Sequence, residues 1–226
     1  MINLTPFFVS LKLSFIATTI LFVLCLPFAW WLSQTKSKIK PFLEAIATLP
    51  LVLPPTVLGF YILMILSPIN SPIGIFLEEY FGVRLVFNFS GIVLASCIFS
   101  LPFMLQPLQS GFESLNKNIL EASYLCGKNK IQTILRIALP NIKPSLIVAL
   151  VITFAHTMGE FGVILLVGGS SDSTKVASIA IYNAFEASDF KQAHVLSLML
   201  LAISFFVLLI VYVFNKKHKI NKGFIS

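Results

Sequence analysis

The chain has 226 residues, of which 57% are hydrophobic and 11% charged, with a formal net charge of +7 and a mean hydropathy of +0.93. Soluble domains sit near about 45–50% apolar, so this composition excludes a soluble domain and indicates a protein of the lipid bilayer. Charges are so sparse that the gaps between them read as candidate spans.

Runs without Asp, Glu, Lys or Arg cover 13–35, 45–77, 85–112 and 192–215, and 144–171 carries Glu160 alone. Each exceeds the roughly 20 residues a helix needs to cross the hydrocarbon layer. Five transmembrane helices are therefore predicted, over about 9–32, 47–66, 91–108, 145–167 and 194–214, with ends uncertain by several residues. The expected fold class is all-α: one polytopic domain, 1–226, with a loop at 109–144. Strands are not expected, because no strand-like alternation repeats along the chain.

The first span lacks a basic leader and a small-residue cleavage site before Lys36, so it reads as a retained helix rather than a signal peptide. The second opens with Leu49-Pro50-Leu51-Val52-Leu53-Pro54-Pro55-Thr56-Val57-Leu58-Gly59. Adjacent prolines remove two backbone donors, which marks either a discontinuous, pathway-lining helix or a packing kink; physics alone leaves both open. Between spans two and three, 67–88 reads as an external segment with a short amphipathic helix around Ile73 to Tyr80, its acids Glu78 and Glu79 facing solvent or a partner. Span three carries Pro102 and Pro107 near the loop side.

The loop after span three has helical texture. Asn116 and Asn118 offer N-caps, Gly127 suits a left-handed C-terminal position, and Pro140 is expected to stop a second helix running from about Lys130. Lys117, Lys128, Lys130, Arg136 and Lys143 hold it at a watery, anionic-lipid surface, while Leu120, Tyr124, Ile131, Ile134, Leu135 and Ile137 supply apolar area. By composition alone this is a solvated connector or a docking element.

Span four holds the one acid within the predicted spans, in His156-Thr157-Met158-Gly159-Glu160-Phe161-Gly162. On a continuous helix His156 and Glu160 would share a face and pair. Glu160 is a structural acceptor, a gate or pathway residue, or with His156 a proton relay; the lack of another buried acid or base to continue a relay favours the first two. Cys25, Cys97 and Cys126 read as small apolar residues rather than a disulfide or metal set.

Basic residues set the orientation. Lys36, Lys38 and Lys40, the five in the 109–144 loop, and Lys216, Lys217, Lys219 and Lys222 share one side, against Lys12, Arg84, Lys175 and Lys191 on the other. The positive-inside rule makes the loop and C-terminus cytoplasmic and the N-terminus external, so the net charge reports topology and no nucleic-acid partner is invoked.

The order of loop residues carries more. Glu121-Ala122-Ser123, three residues, Gly127, nine residues, Ile137, one residue, Leu139-Pro140 resembles the EAA signature of ABC-importer permeases, departing only where Ser123 replaces an alanine. Serine is small enough to keep a close helix contact. The run from Leu49 to Phe60 resembles the second-span motif of molybdate-type permeases, as do Gly159-Glu160-Phe161-Gly162 and Ile179-Ala180-Ile181-Tyr182, so the resemblance covers about Ser10 to Tyr212.

That resemblance implies a type I ABC importer permease fold in a prokaryotic inner membrane. Glu121, Ala122, Ser123, Gly127, Ile137, Leu139 and Pro140 would couple to an ABC ATPase subunit. Pro54, Pro55, Thr56, Gly59, Thr157 and Glu160 would belong to the translocation pathway. The implied partners are that ATPase, a periplasmic or lipoprotein solute-binding protein, a second copy of the chain and membrane lipid; no cofactor, metal or catalytic residue is implied. Molybdate or tungstate is the implied cargo, with a sulfate/thiosulfate permease and, more distantly, a proton-coupled secondary transporter as alternatives. No GxxxxGK[ST] phosphate loop occurs, so ATP hydrolysis would fall to a separate subunit.

Overall fold

The structure, a computed structural model, describes residues 3–222, with side chains described through 209 and at 213. The helices in chain order are α1 (Thr5–Gln34), α2 (Lys40–Val52), α3 (Pro55–Leu66), α4 (Pro72–Phe81), α5 (Phe89–Glu113), α6 (Lys117–Leu125) and α7 (Lys130–Thr133). A π-helical turn at Ile134–Ala138 leads into α8 (Leu139–Asn141), followed by α9 (Lys143–Met158), α10 (Gly162–Gly168), α11 (Ala177–Glu186) and α12 (Phe190–Lys222). No strand occurs among the described residues.

Helices α1, α5 and α12 (over Phe190–Leu209) are each long and apolar enough to cross a bilayer, and two bent helix pairs bring the total to as many as five. The first pair, α2 and α3, bends by 112°. Leu53 and Pro54 each precede a proline, which drives the residue before it out of the helical region. Both are extended, with ψ 136° and 137°, and two such residues in a row end one helix and start another.

The second bend, 81°, lies between Lys130–Asn141 and Lys143–Met158. The segment from Lys130 runs through a π turn and ends at Asn141, one residue past Pro140, and the chain turns at Ile142. The span expected over 145–167 is not continuous, since α9 ends at Met158 and α10 begins at Gly162. The basic residues expected after the fifth span, Lys216, Lys217, Lys219 and Lys222, have side chains outside the described residues.

Helices α1, α5 and α9 form the central bundle. Ala17, Cys25 and Ala29 of α1, Met104, Leu105, Leu108 and Phe112 of α5, and Ala149 of α9 are buried together. Small residues let helices approach in a lipid setting, where packing replaces the water-driven hydrophobic term. At Gly111 the approach is so close that an added Cβ would lie 2.7 Å from Ser145 Cβ. The short helix expected around Ile73 to Tyr80 is present as α4, with the Ser71 hydroxyl accepting from Ile73 N–H at its start and Gly82 left-handed (φ 62°) at its end.

Candidate functional site

Two places stand out, a capped helical element at one end of the bundle and a cavity in its wall.

The element spans α6 to α8. The Asn116 side chain accepts from Asn118 N–H at 2.9 Å, so Asn116 is the cap and Asn118 lies inside the helix. At the other end of α6, Lys128 N–H donates to Ser123 C=O and Gly127 N–H to Tyr124 C=O. Gly127 has φ +74° and nothing within 4 Å of an added Cβ. This is a Schellman closure in which the left-handed backbone, not crowding, demands glycine. The second arm opens with a capping box: Asn129 accepts from Gln132 N–H at 2.8 Å and the Gln132 side chain accepts from Asn129 N–H.

Across the hinge the Ser123 and Thr133 hydroxyls bond at 2.9 Å, both buried. The serine that departs from the family signature therefore does more than preserve a close contact, because it ties α6 to α7. The spacing signature pointed to Ser123 but not to Thr133, whose role depends on how the hinge folds back. Of the other predicted coupling residues, Glu121, Ala122 and Pro140 are exposed and Ile137 and Leu139 half-buried. Leu125, Ile131 and Leu135 are exposed as well, giving the element an uncovered apolar surface.

The cavity, about 660 Å³, is lined by Pro55 and Thr56 of α3, Phe99 of α5, Ala155 and His156 of α9, the Gly159–Phe161 linker, and Gly162, Leu165 and Leu166 of α10. Glu160 sits in the break between α9 and α10, 4% exposed, with neither carboxylate oxygen hydrogen-bonded. The buried Ser96 hydroxyl is near enough to be its one potential partner, though neither group makes a hydrogen bond of full geometry. The backbone at the break is anchored: Ser178 of α11 donates to Glu160 C=O. A buried polar group without a full partner is costly, and here it belongs to a residue of the cavity lining although its carboxylate oxygens are themselves covered.

His156 and Glu160 do not pair. Four-residue spacing places two side chains on one face only along an unbroken helix, and α9 ends between them. His156 turns to α5 instead, its ring stacked 3.9 Å from Phe103 and its Nδ1 3.0 Å from Ser100 Oγ. Ser100 Oγ lies 3.0 Å from Thr157 Oγ1, which lies 3.0 Å from Thr153 C=O, so His156, Ser100 and Thr157 form one hydrogen-bonded chain across α5 and α9.

The predicted pathway residues thus separate. Pro55, Thr56 and Glu160 line the cavity. Pro54 caps α3, and Thr157 is buried in the chain of hydroxyls behind the wall. Gly59 is packed into the α3–α10 contact, where a Cβ would lie 3.1 Å from Leu166 Cδ1 and Val163 Cα. The α5 contribution, Ser96, Phe99 and Ser100, went unread in the sequence, although Ser96 and Ser100 sit one helical turn apart in an otherwise apolar segment. Among the described residues no Lys or Arg lines the cavity.

Comparison with known proteins adds to this. The family model described as binding-protein-dependent transport system inner membrane component matches residues 25–219. The molybdenum transport system permease protein ModB of Azotobacter vinelandii is 40% identical over 205 residues, covering 90% of each chain. ModB of Escherichia coli is 32% identical over 178 residues, 78% of this chain and 77% of the relative. The sulfate transport system permease protein CysT of Salmonella typhimurium is 28% identical over 201 residues, 88% of this chain and 72% of the relative. In fold the chain is similar to a bacterial ABC transporter that imports alginate (TM-score 0.79, 20% identity, 95% of this chain and 79% of that one). It is also similar to the MetNI methionine transporter in inward-facing form (TM-score 0.68, 16% identity, 96% and 95%).

Proposed function

The chain belongs to the binding-protein-dependent transport system inner membrane components, a family of multi-pass transport subunits rather than catalysts, and from that premise we propose that it carries molybdate or tungstate inward as the permease of an ATP-driven importer. The observation that carries the reading is the α6–α8 element. It combines the EAA spacing with capped ends, a cross-hinge hydroxyl bond and an exposed apolar surface. Such an element is rigid enough to transmit a push and sticky enough to sit in a partner's cleft.

In this reading Glu121, Ala122, Ser123, Gly127, Ile137, Leu139 and Pro140 dock the ATPase subunit from the cytoplasm. The N-terminus is external and the C-terminus cytoplasmic. The external helix α4, with exposed Glu78 and Glu79, meets a solute-binding protein, and 1–226 acts as one permease domain. A twofold homodimer supplies the second half of the pathway, since the cavity of one chain is lined on one side only by α3, α5, α9 and α10. Closure of two ATPase subunits on ATP would draw the two coupling elements together and turn the cavities outward; hydrolysis would return them.

The pathway set of Pro54, Pro55, Thr56, Gly59, Thr157 and Glu160 then divides by task. Pro54 and Pro55 set the break, Gly59 and Thr157 hold the wall, and Thr56 and Glu160 face the cargo. With no fixed cation at the wall, the oxyanion passes through weak contacts and selection rests with the binding protein. Molybdate is favoured over sulfate by the higher identity to the molybdenum permeases than to the sulfate permease.

The test is uptake of labelled molybdate, tungstate and sulfate by cells carrying this chain with its neighbouring ATPase and binding protein, the ATPase phosphate loop intact or disabled. Molybdate or tungstate uptake that disappears with the loop is expected. Uptake that survives the disabled ATPase overturns the importer reading, and ATP-dependent uptake of sulfate alone overturns the cargo.

A further inference from the structure

Both ion pairs found among the described residues meet at one atom, Lys40 Nζ. It lies 2.8 Å from Glu113 Oε1 on α5 and 3.7 Å from Glu44 Oε1 on its own helix, α2. Gln109 of α5 joins the cluster: its Nε2 donates to Glu113 Oε1 at 3.0 Å and also to Glu44 Oε1. One ammonium and one carboxamide are thus shared by two carboxylates on two helices.

The position of the cluster gives it meaning. Helix α2 packs on α5, buries only Ala47 and Pro50, and leaves Phe42, Ile46, Leu49 and Val52 exposed. Through the proline break it continues into α3, which brings Pro55 and Thr56 to the cavity. Helix α5 runs unbroken from the cavity wall at Phe99 to Glu113, and α6 starts at Lys117. The cluster therefore joins the root of the α6–α8 element to the free end of a cavity-lining bent pair.

Stability alone is a poor reason for it. Both partners of the short pair are partly exposed, at 24% and 42%, and exposed ion pairs add little to folding. What the arrangement offers instead is a choice of partner. When α2 lies against α5, Lys40 bonds Glu113; when α2 swings away, Lys40 falls back on Glu44 one turn along its own helix, a pairing available on α2 without α5. The ammonium keeps a carboxylate in either position, and Glu113, once parted from it, keeps the Gln109 carboxamide and is 42% exposed to solvent, so the helices separate at small cost and the cluster acts as a two-position element.

We propose that Lys40, Glu44, Gln109 and Glu113 form an ionic clasp that couples movement of the α6–α8 element to the α2–α3 pair at the cavity. Lys40 and Glu113 are positioning residues, acting on the pathway through the helices they join. The clasp rests on the importer reading and extends it to residues outside both the signature and the cavity.

The test uses proteoliposomes holding the full permease, its ATPase and its binding protein, and reads labelled molybdate transported per ATP hydrolysed. Lys40→Met and Glu113→Gln are each expected to lower that ratio by about two- to fivefold, the scale of one exposed ion pair, with ATPase association retained. The double exchange Lys40→Glu with Glu113→Lys rebuilds the α2–α5 pair but sets a like charge against Glu44 on α2, so it is expected to restore part of the ratio, above either single variant. It also leaves the net charge of that end unchanged, which separates the clasp from a general effect on insertion. Should Lys40→Met fail to insert, Glu113→Gln with the double exchange decides alone, because Glu113→Gln keeps every basic residue. An unchanged ratio in the single variants, or a double exchange no better than they are, overturns the clasp. Wild-type vesicles without ATP-dependent uptake overturn the importer reading, and the clasp with it.

Discussion

In the α6–α8 element the polar side chains at its ends and hinge have partners: Asn116, Asn129 and Gln132 cap, Gly127 closes a turn, and Ser123 bonds Thr133. At the cavity the buried Glu160 carboxylate makes no hydrogen bond of full geometry, and neither do the buried Ser96 and Thr153 hydroxyls, which lie outside the cavity lining. One region is finished by its own bonds, and the other keeps its strongest polar group uncommitted beneath the wall. In the proposed importer a part that transmits force must not deform, whereas a part that passes a solute must offer groups not already committed, so that reading expects this contrast.

The largest expected effect breaks the cavity side. Replacing Glu160 with Leu removes an unpaired buried carboxyl and should leave thermal stability in detergent equal or raised, by up to about 1–3 kcal/mol, while uptake falls tenfold or more, about 1.4 kcal/mol in the barrier. Unfolding of that variant would mean that Glu160 is a structural acceptor after all. Glu160→Gln keeps the shape and the hydrogen-bonding capacity and should transport normally; a silent but well-assembled Gln variant would point to a proton-carrying role.

Next is Gly127→Leu. No neighbour obstructs the side chain, but φ +74° is a left-handed conformation that costs a branched residue roughly 1–2 kcal/mol. Association with the ATPase subunit, measured by co-purification, should weaken about five- to thirtyfold with insertion intact. Normal uptake would remove the rigid-element argument.

A smaller effect is expected at the cross-hinge bond. Ser123→Ala, although it restores the signature residue, strands the buried Thr133 hydroxyl and should destabilise the element by about 1 kcal/mol. Ser123→Ala with Thr133→Val should recover most of that loss, because both partners become apolar. Thermal melts of the assembled transporter would read both, and an additive double variant would show that the hydroxyls do not interact. The smallest effect belongs to Asn129→Ala, about 0.5–1 kcal/mol for a lost cap, read as faster tryptic cleavage at Lys128 and Lys130.

The all-α character and the number of apolar segments were legible because a bilayer admits few ways to satisfy backbone hydrogen bonds. The break at Leu53–Pro54 was legible too, since prolines act on the residue before them wherever they occur. The break at Gly159–Phe161 was not. A single glycine beside an acid is tolerated in many helices, and nothing local says that Ser178 of a later helix will hold the Glu160 carbonyl. That one omission placed His156 and Glu160 on a single helical face where they could pair, an arrangement that helical arithmetic allows and the chain does not adopt. Pro140 marked the end of the segment from Lys130 to within one residue, since the chain turns just past Asn141. The dependence of His156 on Ser100, 56 residues away, has no local signal.

The amino-acid order by itself thus determined the solvent this protein lives in, its all-α character, its proline break and the capped ends of the α6–α8 element, because each follows from hydropathy, backbone sterics or short-range capping. Packing of distant segments settled the rest. It decided which hydroxyls meet, which acid is left without a partner, which glycines serve a contact rather than a cavity, and which two helices share Lys40. Those outcomes depend on bringing residues tens of positions apart within about 3 Å, the range over which a hydrogen bond exists at all, and helical spacing carries no information across that gap.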